Sequence, residues 1–249
     1  MDPRHVVALF SPQSLHEQVV RHIGLSIVRS AAAQPGQTLP SEPELCAQLK
    51  VSRPVLREAI KVLAAKGLVE SRPKLGTQAR PRHAWHLLDP DVLAWLCEAG
   101  PDAWLLRNLS EVRLIIEPQA ARLAAARATA DEIATLDAWY RRMCVATDNA
   151  DTFTAADTRF HAAILTAAHN ELLEQMSVAI GTALRASMTT TAHLTGAIEA
   201  SLPLHGTVVD AIRARDEHVA ESAMRELITM TMRDIDRALH SIGMRLGES

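Results

Sequence analysis

The order of helix starts, helix ends and turns between residues 41 and 80 constrains the fold of this chain more than any other feature. Ser41 and Glu44 have the spacing of a capping box, which opens a short helix. Ser52 is a natural N-cap for the next helix, and Gly67 ends that helix as a glycine just beyond a helix terminus commonly does. Two short extended pieces around a Pro/Gly turn follow, which predicts a hairpin. Two short helices and a hairpin in this order predict a winged helix-turn-helix.

The second short helix carries the side chains that would read DNA. Such a helix enters the major groove with its N-terminal residues facing base edges. Two arginines four residues apart share one face of it, and a guanidinium can bind guanine through two hydrogen bonds. Two arginines on a solvated helix would have the same spacing, so the order of the whole segment decides the interpretation. The predicted DNA contacts are Ser52, Arg53 and Arg57 on the helix, and Arg72, Lys74 and the turn residue Gly76 at the hairpin.

The charge is distributed unevenly along the chain. Residues 1–82 hold 12 Lys/Arg against 6 Asp/Glu, whereas residues 83–249 hold 14 against 23. A basic front part and an acidic back part suggest that only the front part meets a polyanion, although small domains also vary in charge by chance. We therefore expect a DNA-binding domain over residues 1–82 and a second domain over residues 83–249.

The second part of the sequence predicts helices alone. Aromatic residues make up only 3% of the chain while Ala, Leu and Arg are frequent, and this composition favours helices over sheets. The apolar spacing of Leu109, Val112, Ile116 and Ala120 is typical of a packed bundle. The expected fold is therefore mostly α, with an antiparallel bundle of six or seven helices behind the winged helix. The predicted helices cover residues 90–98, 101–126, 130–148, 151–168, 170–192, 200–214 and 216–243.

Simple counts argue against several protein classes. The three cysteines form no CxxC pair, so the sequence supports neither a disulfide framework nor a thiolate zinc site. No run of about 18 apolar residues predicts a membrane span, and the N-terminal apolar run is too short and too interrupted for a signal peptide. We expect a protein of the reducing cytoplasm with no membrane partner.

Four polar side chains in the second part form a candidate ligand site. Asp157 and His161 are four residues apart on a predicted helix, so both point one way and can share a divalent metal ion. His205 lies on a later helix and could close over the same cavity, while Arg113 ends in a fork suited to an anion. A surface pair of Asp157 and His161, with a surface or ion-paired Arg113, would have the same spacing. The residues alone leave both interpretations open.

The N-terminal motifs resemble the GntR family of transcription regulators. The resemblance covers residues 12–80 and implies a regulator rather than an enzyme, with double-stranded operator DNA as its partner. It also implies that Arg53 and Arg57 contact operator bases, and that Ser52 and the hairpin around Lys74 and Gly76 anchor the DNA. The motifs are Gly36-x-x-Leu39-Pro40-Ser41-Glu42, Val51-Ser52-Arg53-x-x-x-Arg57-Glu58-Ala59-Ile60, Gly67-Leu68-Val69-Glu70 and Gly76-Thr77.

The second part is similar to the FCD sensor domain of the FadR branch of that family. The resemblance implies that Asp157, His161 and His205 bind a divalent metal, zinc first and nickel or manganese as alternatives. It further implies that a carboxylic acid docks on the metal and on Arg113. Where the family pattern expects a third histidine, this chain has Leu227, so the implied set has three ligands. The alternative that the site binds no metal therefore stays open. The matching pieces include Glu111-x-Arg113-x-x-x-Glu117-Pro118, Asp157-x-x-x-His161, Asn170-x-x-Leu173 and His205-x-x-x-x-x-Ala211-Ile212.

Further stretches, among them Ser110-Glu111-Val112-Arg113 and His169-Asn170, resemble a subgroup of these regulators that represses galactonate utilisation. This resemblance implies a sugar acid such as galactonate as effector, with its carboxylate on Arg113 or the metal and its hydroxyls near Ser110 and Ser177. We expect a homodimer that binds a palindromic operator and releases it when the acid binds. The alternatives are an activator, a metal-responsive regulator, a fatty-acyl-responsive member of the branch, and a metal-dependent hydrolase or lyase.

Overall fold

The computed structural model describes residues 14–31, 37–72, 75–100, 102–191, 194 and 196–241. These residues form eleven α-helices and one two-stranded antiparallel hairpin, so the predicted mostly-α fold is confirmed. None of the described helices is both long enough and apolar enough to cross a bilayer. The chain divides into two compact units, residues 1–100 and residues 101–249.

The first unit contains the predicted winged helix-turn-helix. The register of its hairpin places Arg72 opposite Gly76. The predicted capping box is formed, because the Ser41 amide donates to the Glu44 carboxylate at 2.8 Å. The elements are α1 (Leu15–Ala31), α2 (Glu42–Leu49), α3 (Arg53–Ala65), β1 (Val69–Arg72), β2 (Gly76–Ala79) and α4 (Pro90–Glu98).

The apolar face of α3 decides which side chains this helix presents to solvent. Leu56, Ala59 and Leu63 are at most 1% exposed and pack into the core of the unit. Their spacing of three and four residues is that of one helix face. The opposite face, which carries Arg53 and Arg57, is exposed. Burial of the apolar face therefore orients the two arginines outward.

Helix α4 packs against α1 and lies within the first unit. Gly24 of α1 lies under the Trp95 ring, where an added Cβ would stand 2.4 Å from a ring carbon. Val92 and Leu93 are also buried. The domain boundary expected at residue 82 assigned this helix to the second domain, whereas the compact unit extends to Gly100 because α4 buries its apolar face against α1.

The described residues of the second unit form a bundle of seven helices. The sequence predicts one helix over residues 170–192, but the structure has two in that range. The break lies at Met176, whose amide donates to the Leu173 carbonyl three residues earlier and so tightens the last turn of the shorter helix. The helices are α5 (Ala103–Arg127), α6 (Ala130–Cys144), α7 (Ala150–Ala167), α8 (Glu171–Gln175), α9 (Ser177–Thr191), α10 (Ala197–Arg213) and α11 (Glu217–Ser241).

Small side chains on α5 allow the bundle to pack closely around it. Ala120, Ala121 and Ala124 are fully buried, and α5 packs against α7 and α11. Alanine loses no side-chain entropy on burial, so this packing has a low entropic cost. Between these helices and α9 and α10 lies a cavity that is lined by side chains from all five.

Candidate functional site

The predicted DNA-contacting side chains lie on the exposed side of α3 and at the hairpin. Ser52 and Arg53 are exposed at the start of α3, and the Arg57 side chain, one turn further on, is 66% exposed. Gly76 has a φ of +80°, a left-handed conformation that glycine adopts without strain. Lys74 lies outside the described residues.

Two of these arginines are held by acidic neighbours. The Arg57 Nε donates to Glu42 Oε1 at 2.9 Å, and its Nη2 donates to the other carboxylate oxygen at 3.3 Å. Arg72 Nη2 lies 2.7 Å from a Glu70 carboxylate oxygen. Exposed ion pairs of this kind stabilise a protein only slightly, so exchanging them for phosphate or a base edge costs little. Among the described residues, none forms an ion pair with Arg53.

The cavity of the second unit brings together Arg113 and the three predicted metal ligands. The exposed fractions of Arg113, Asp157, His161 and His205 are 1%, 4%, 1% and 2%. All four line the same cavity. A surface pair of Asp157 and His161 is thereby ruled out, because neither residue reaches solvent.

Asp157, His161 and His205 point at one another. His205 Nε2 lies 2.9 Å and His161 Nε2 lies 3.5 Å from the same oxygen, Asp157 Oδ1. One possible ligand atom from each residue lies within 4.8 Å of the others. Two imidazole nitrogens and a carboxylate oxygen at such spacing suit an ion that binds its ligands at about 2.0–2.2 Å. The donor set therefore fits a divalent ion such as zinc.

The other nitrogen of each imidazole has its own acceptor. His205 Nδ1 donates to the Ser201 backbone carbonyl at 2.9 Å, and His161 Nδ1 lies against Glu117 Oε2. A proton on Nδ1 leaves the Nε2 lone pair free to bind a metal ion beside Asp157, which is the arrangement that metal-binding histidines usually have. Glu117, which in the sequence is only one position of a family motif, thus orients His161.

Glu117 also holds Arg113. The Arg113 Nε donates to Glu117 Oε1 at 2.6 Å, and both side chains are 2% exposed. A buried charge needs such a partner, because removing it from water is costly. Within the described chain no other residue hydrogen-bonds this guanidinium. Its Nη1 and Nη2 therefore remain for an anion in the cavity.

The buried charges shift one another's pKa values. Burial raises the pKa of Glu117, but the charges of Arg113 and His161 outweigh it and lower that pKa to about 2. Burial likewise raises the pKa of Asp157, and His161, followed by His205, lowers it below its usual range. Burial lowers the pKa of His161, but Glu117 and Asp157 raise it to about 9. Without metal, His161 is therefore an imidazolium between two carboxylates at neutral pH.

This charge state predicts a pH dependence of the metal-free protein. The stabilisation that the charged His161 gives the folded state is fully present below about pH 6.5, which is the pKa of this residue in the unfolded chain. It is lost as the pH rises through the folded-state pKa of about 9. Both carboxylates stay ionised in this range, because their pKa values are lowered. In excess chelator we expect the melting temperature to fall by about 3 °C or more between pH 6.5 and pH 9. A His161→Asn variant should lack this component, and an identical fall in that variant would contradict the assignment.

Of three other residues that the sequence pointed out, only one lines the cavity. Ser110 is buried and donates to the Leu106 carbonyl at 2.8 Å, but it does not line the cavity. Ser177, at the start of α9, lines a separate groove between α7 and α9. Leu227 of α11 does line the cavity, at the position where the family resemblance implies a third histidine. The structure thus brings neither serine into the lining of the cavity that holds Arg113.

Five polar residues of the cavity were missed by the sequence analysis. They come from α9, α10 and α11, and their helical spacing on a shared face was the only signal that could have indicated them. On α11, for example, Leu227, Thr231 and Asp234 follow one another at four and three residues. The five residues are Ser187, Thr191, Ser201, Thr231 and Asp234.

Comparisons with known proteins match both units. The pattern of the "Bacterial regulatory proteins, gntR family" matches residues 15–78, and that of the FCD domain matches residues 108–230. The galactonate operon transcriptional repressor of Escherichia coli K12 is 36% identical over 221 residues, which cover 87% of this chain and 95% of that protein. The Glc operon transcriptional activator of the same organism is 29% identical and covers 83% of this chain and 82% of its own length.

A solved structure has the same fold. It is that of Lar, which controls the expression of the Listeria monocytogenes agr system. The two chains superpose with a TM-score of 0.65 at 17% identity, over 92% of this chain and 99% of the other. At this identity the similarity concerns the fold alone.

Proposed function

This chain belongs to the GntR family of bacterial regulatory proteins and carries an FCD domain, and we propose that it is a repressor that releases its operator when a sugar acid binds. The family and domain resemblances predicted from the sequence are confirmed. The resemblance to a galactonate operon repressor is also confirmed. The matching domains and relatives are transcription regulators, not enzymes.

The observation that carries the proposal is the buried Arg113 in the same cavity as Asp157, His161 and His205. A bound divalent ion would add two positive charges and coordination positions that the three protein ligands leave open. Two of these three ligands are neutral imidazoles when they coordinate the ion. With Arg113 positive and Glu117 and Asp157 negative, the loaded site then has one net positive charge. One carboxylate of a ligand would neutralise it.

The first unit supplies the DNA-binding part of the proposal. Arg53 and Arg57 are exposed on one face of α3, where they can meet base edges in a major groove. In a homodimer, two such helices would read the two halves of a palindromic operator. Sugar-acid binding must favour the state that does not fit the operator, because an effector with equal affinity for both states shifts nothing.

Repression is proposed over activation because of the relatives. The galactonate operon repressor shares more identity with this chain, and over more of its length, than the Glc operon activator does. A regulator that responds to the metal alone is disfavoured by the cavity beyond the three ligands, since an ion would occupy only one end of it. The remaining space is lined mainly by apolar side chains with five polar residues among them, and such a lining suits an organic ligand better than an ion alone.

A thermal-shift panel tests the proposed function. We expect aldonates to raise the melting temperature of the zinc-loaded chain by several degrees at millimolar concentration, because only ligands of the folded state stabilise it. The same acids should give a much smaller shift after chelation. Neutral sugars of the same carbon number serve as the matched control and should have no effect. Equal shifts with and without metal, or none with any carboxylate, would contradict the proposal.

A further inference from the structure

We infer that one part of the cavity selects a ligand with several hydroxyl groups and only one carboxylate, and that Asp234 rejects a second carboxylate. The inference rests on the proposed effector function and narrows its ligand class. It concerns the five cavity residues that we call the acceptor wall, which are Ser187, Thr191, Ser201, Thr231 and Asp234.

Each hydroxyl group of the acceptor wall already uses its proton in a hydrogen bond within its own helix. Each hydroxyl donates to a backbone carbonyl three or four residues earlier on its own helix, at distances of 2.7 to 3.1 Å. A hydroxyl has one proton and two lone pairs, so in this state its oxygen can only accept from a ligand. The four residues concerned are Ser187, Thr191, Ser201 and Thr231.

Asp234 is the fifth acceptor and the only one with a charge. The residue lies on α11, is 6% exposed and lines the cavity. Arg237 contacts its Oδ1 from the solvent side, where the arginine side chain is 69% exposed. Oδ2 accepts no hydrogen bond from the residues that the structure describes. A carboxylate accepts hydrogen bonds but donates none, so Asp234 attracts hydrogen-bond donors and repels anions.

The connection between α10 and α11 places Asp234 away from the metal ligands. Three residues join these helices, which pack against each other, so the two form a helical hairpin and run in opposite directions. Counting from this connection, His205 lies eight residues before the end of α10, so its level corresponds to that of Arg225, eight residues after the start of α11. Asp234 lies nine residues further along α11, an axial distance of about 13 Å. The acid-binding end and the charged end of the acceptor wall are therefore separated by about two and a half helical turns.

The two ends of the cavity favour different chemical groups on one ligand. Arg113 and the metal position attract an anion, whereas the oxygens of the acceptor wall can accept hydrogen bonds from a ligand, next to apolar lining residues such as Met188 and Ile198. An alkyl carboxylate would offer these oxygens no donor, whereas hydroxyl groups on the ligand would. A dicarboxylate would bring its second charge against Asp234. A polyhydroxylated monocarboxylate satisfies both ends.

Isothermal titration of the zinc-loaded full chain tests this selectivity. The probes are D-galactonate and D-gluconate, the matching dicarboxylates galactarate and D-glucarate, hexanoate, and 6-aminohexanoate. At least one aldonate should bind about 10-fold or more tightly than its dicarboxylate and than hexanoate. A dicarboxylate that binds as tightly as its aldonate, or a preference for 6-aminohexanoate over both aldonates, would overturn the inference and leave the proposed function standing. If no probe binds, the proposed function fails and the inference fails with it.

Two variants assign the selectivity to residues. Asp234→Asn should reduce the preference for aldonate over dicarboxylate by about 10-fold, whereas Asp236→Asn, at an exposed position on the same helix, should leave it unchanged. An unchanged preference in a normally folded Asp234→Asn protein would remove the role of Asp234. Should that variant not fold, Thr191→Val deletes one acceptor with little change in shape. It should weaken aldonate binding several-fold and leave hexanoate binding as it was, and equal losses for both acids would overturn the inference.

Discussion

A chain in which Arg53 and Arg57 are both replaced by alanine should bind its operator about 100-fold more weakly or worse, since each bidentate contact to a guanine is worth about 1–3 kcal/mol. Both side chains lie on the solvent side of α3, and the apolar residues that hold this helix in place are untouched. The melting temperature should therefore stay close to that of the wild type. Fluorescence anisotropy with a duplex selected by the wild-type protein from a random library, and with a scrambled duplex, measures the loss at one fixed salt concentration.

The control for this prediction is Arg122→Ala. Arg122 is an exposed arginine of the second unit, and its removal deletes one positive charge, half of the change in the double variant, together with one exposed ion pair to Glu217. Its operator affinity should equal that of the wild type. Weak binding to the scrambled duplex should persist in all variants, because phosphate contacts that do not read sequence remain. If the double variant still prefers the operator as strongly as the wild type does, α3 does not read DNA.

Replacement of His161 by asparagine should remove both the metal and the effector response. Asparagine retains a donor that can reach Glu117 but has no counterpart of Nε2, so one of three ligands is lost while the buried carboxylate keeps a partner. Metal affinity should fall by about 100-fold or more. Elemental analysis after dialysis measures the metal content, and anisotropy measures operator binding, which should be normal without effector and unresponsive to aldonates.

A matched substitution isolates the role of this histidine. His218→Asn changes an exposed histidine at the start of α11 and should retain the wild-type metal content and response. Should His161→Asn bind metal at the wild-type level, the three side chains in the cavity are not the metal site. Should it lose the metal and still respond to aldonates, the metal takes no part in sensing.

Local signals predicted the first unit well. The capping box at Ser41 and the glycine after α3 act through neighbouring backbone groups, so their effect does not depend on the rest of the fold. The expected edge of this unit at residue 82 differs from the structure, because the position of α4 depends on Gly24, whose missing side chain makes room for Trp95 about 70 residues later. No pattern within either helix alone reveals that contact.

The candidate site was predictable only in part, for a similar reason. The spacing of Asp157 and His161 places both on one helix face, and the resemblance to FCD domains implied His205 and Arg113 as further members. Ser110 and Ser177 were chosen for their hydroxyl groups, yet which helix face meets the cavity depends on packing between helices. The acceptor wall depends further on side-chain rotamers, since a hydroxyl that has donated to its own helix is identified only from its hydrogen bond.

Whether a sugar acid releases the operator is decided by the operator affinity of the full chain, measured with and without the tightest-binding aldonate, in the zinc-loaded and in the chelated state. The proposed function predicts that the aldonate weakens operator binding by about 10-fold or more in the zinc-loaded protein, an effect of about 1.4 kcal/mol or more. After chelation the same concentration should change nothing. Operator affinity that is unaffected by the bound aldonate, or weakened equally in the chelated protein, would contradict it.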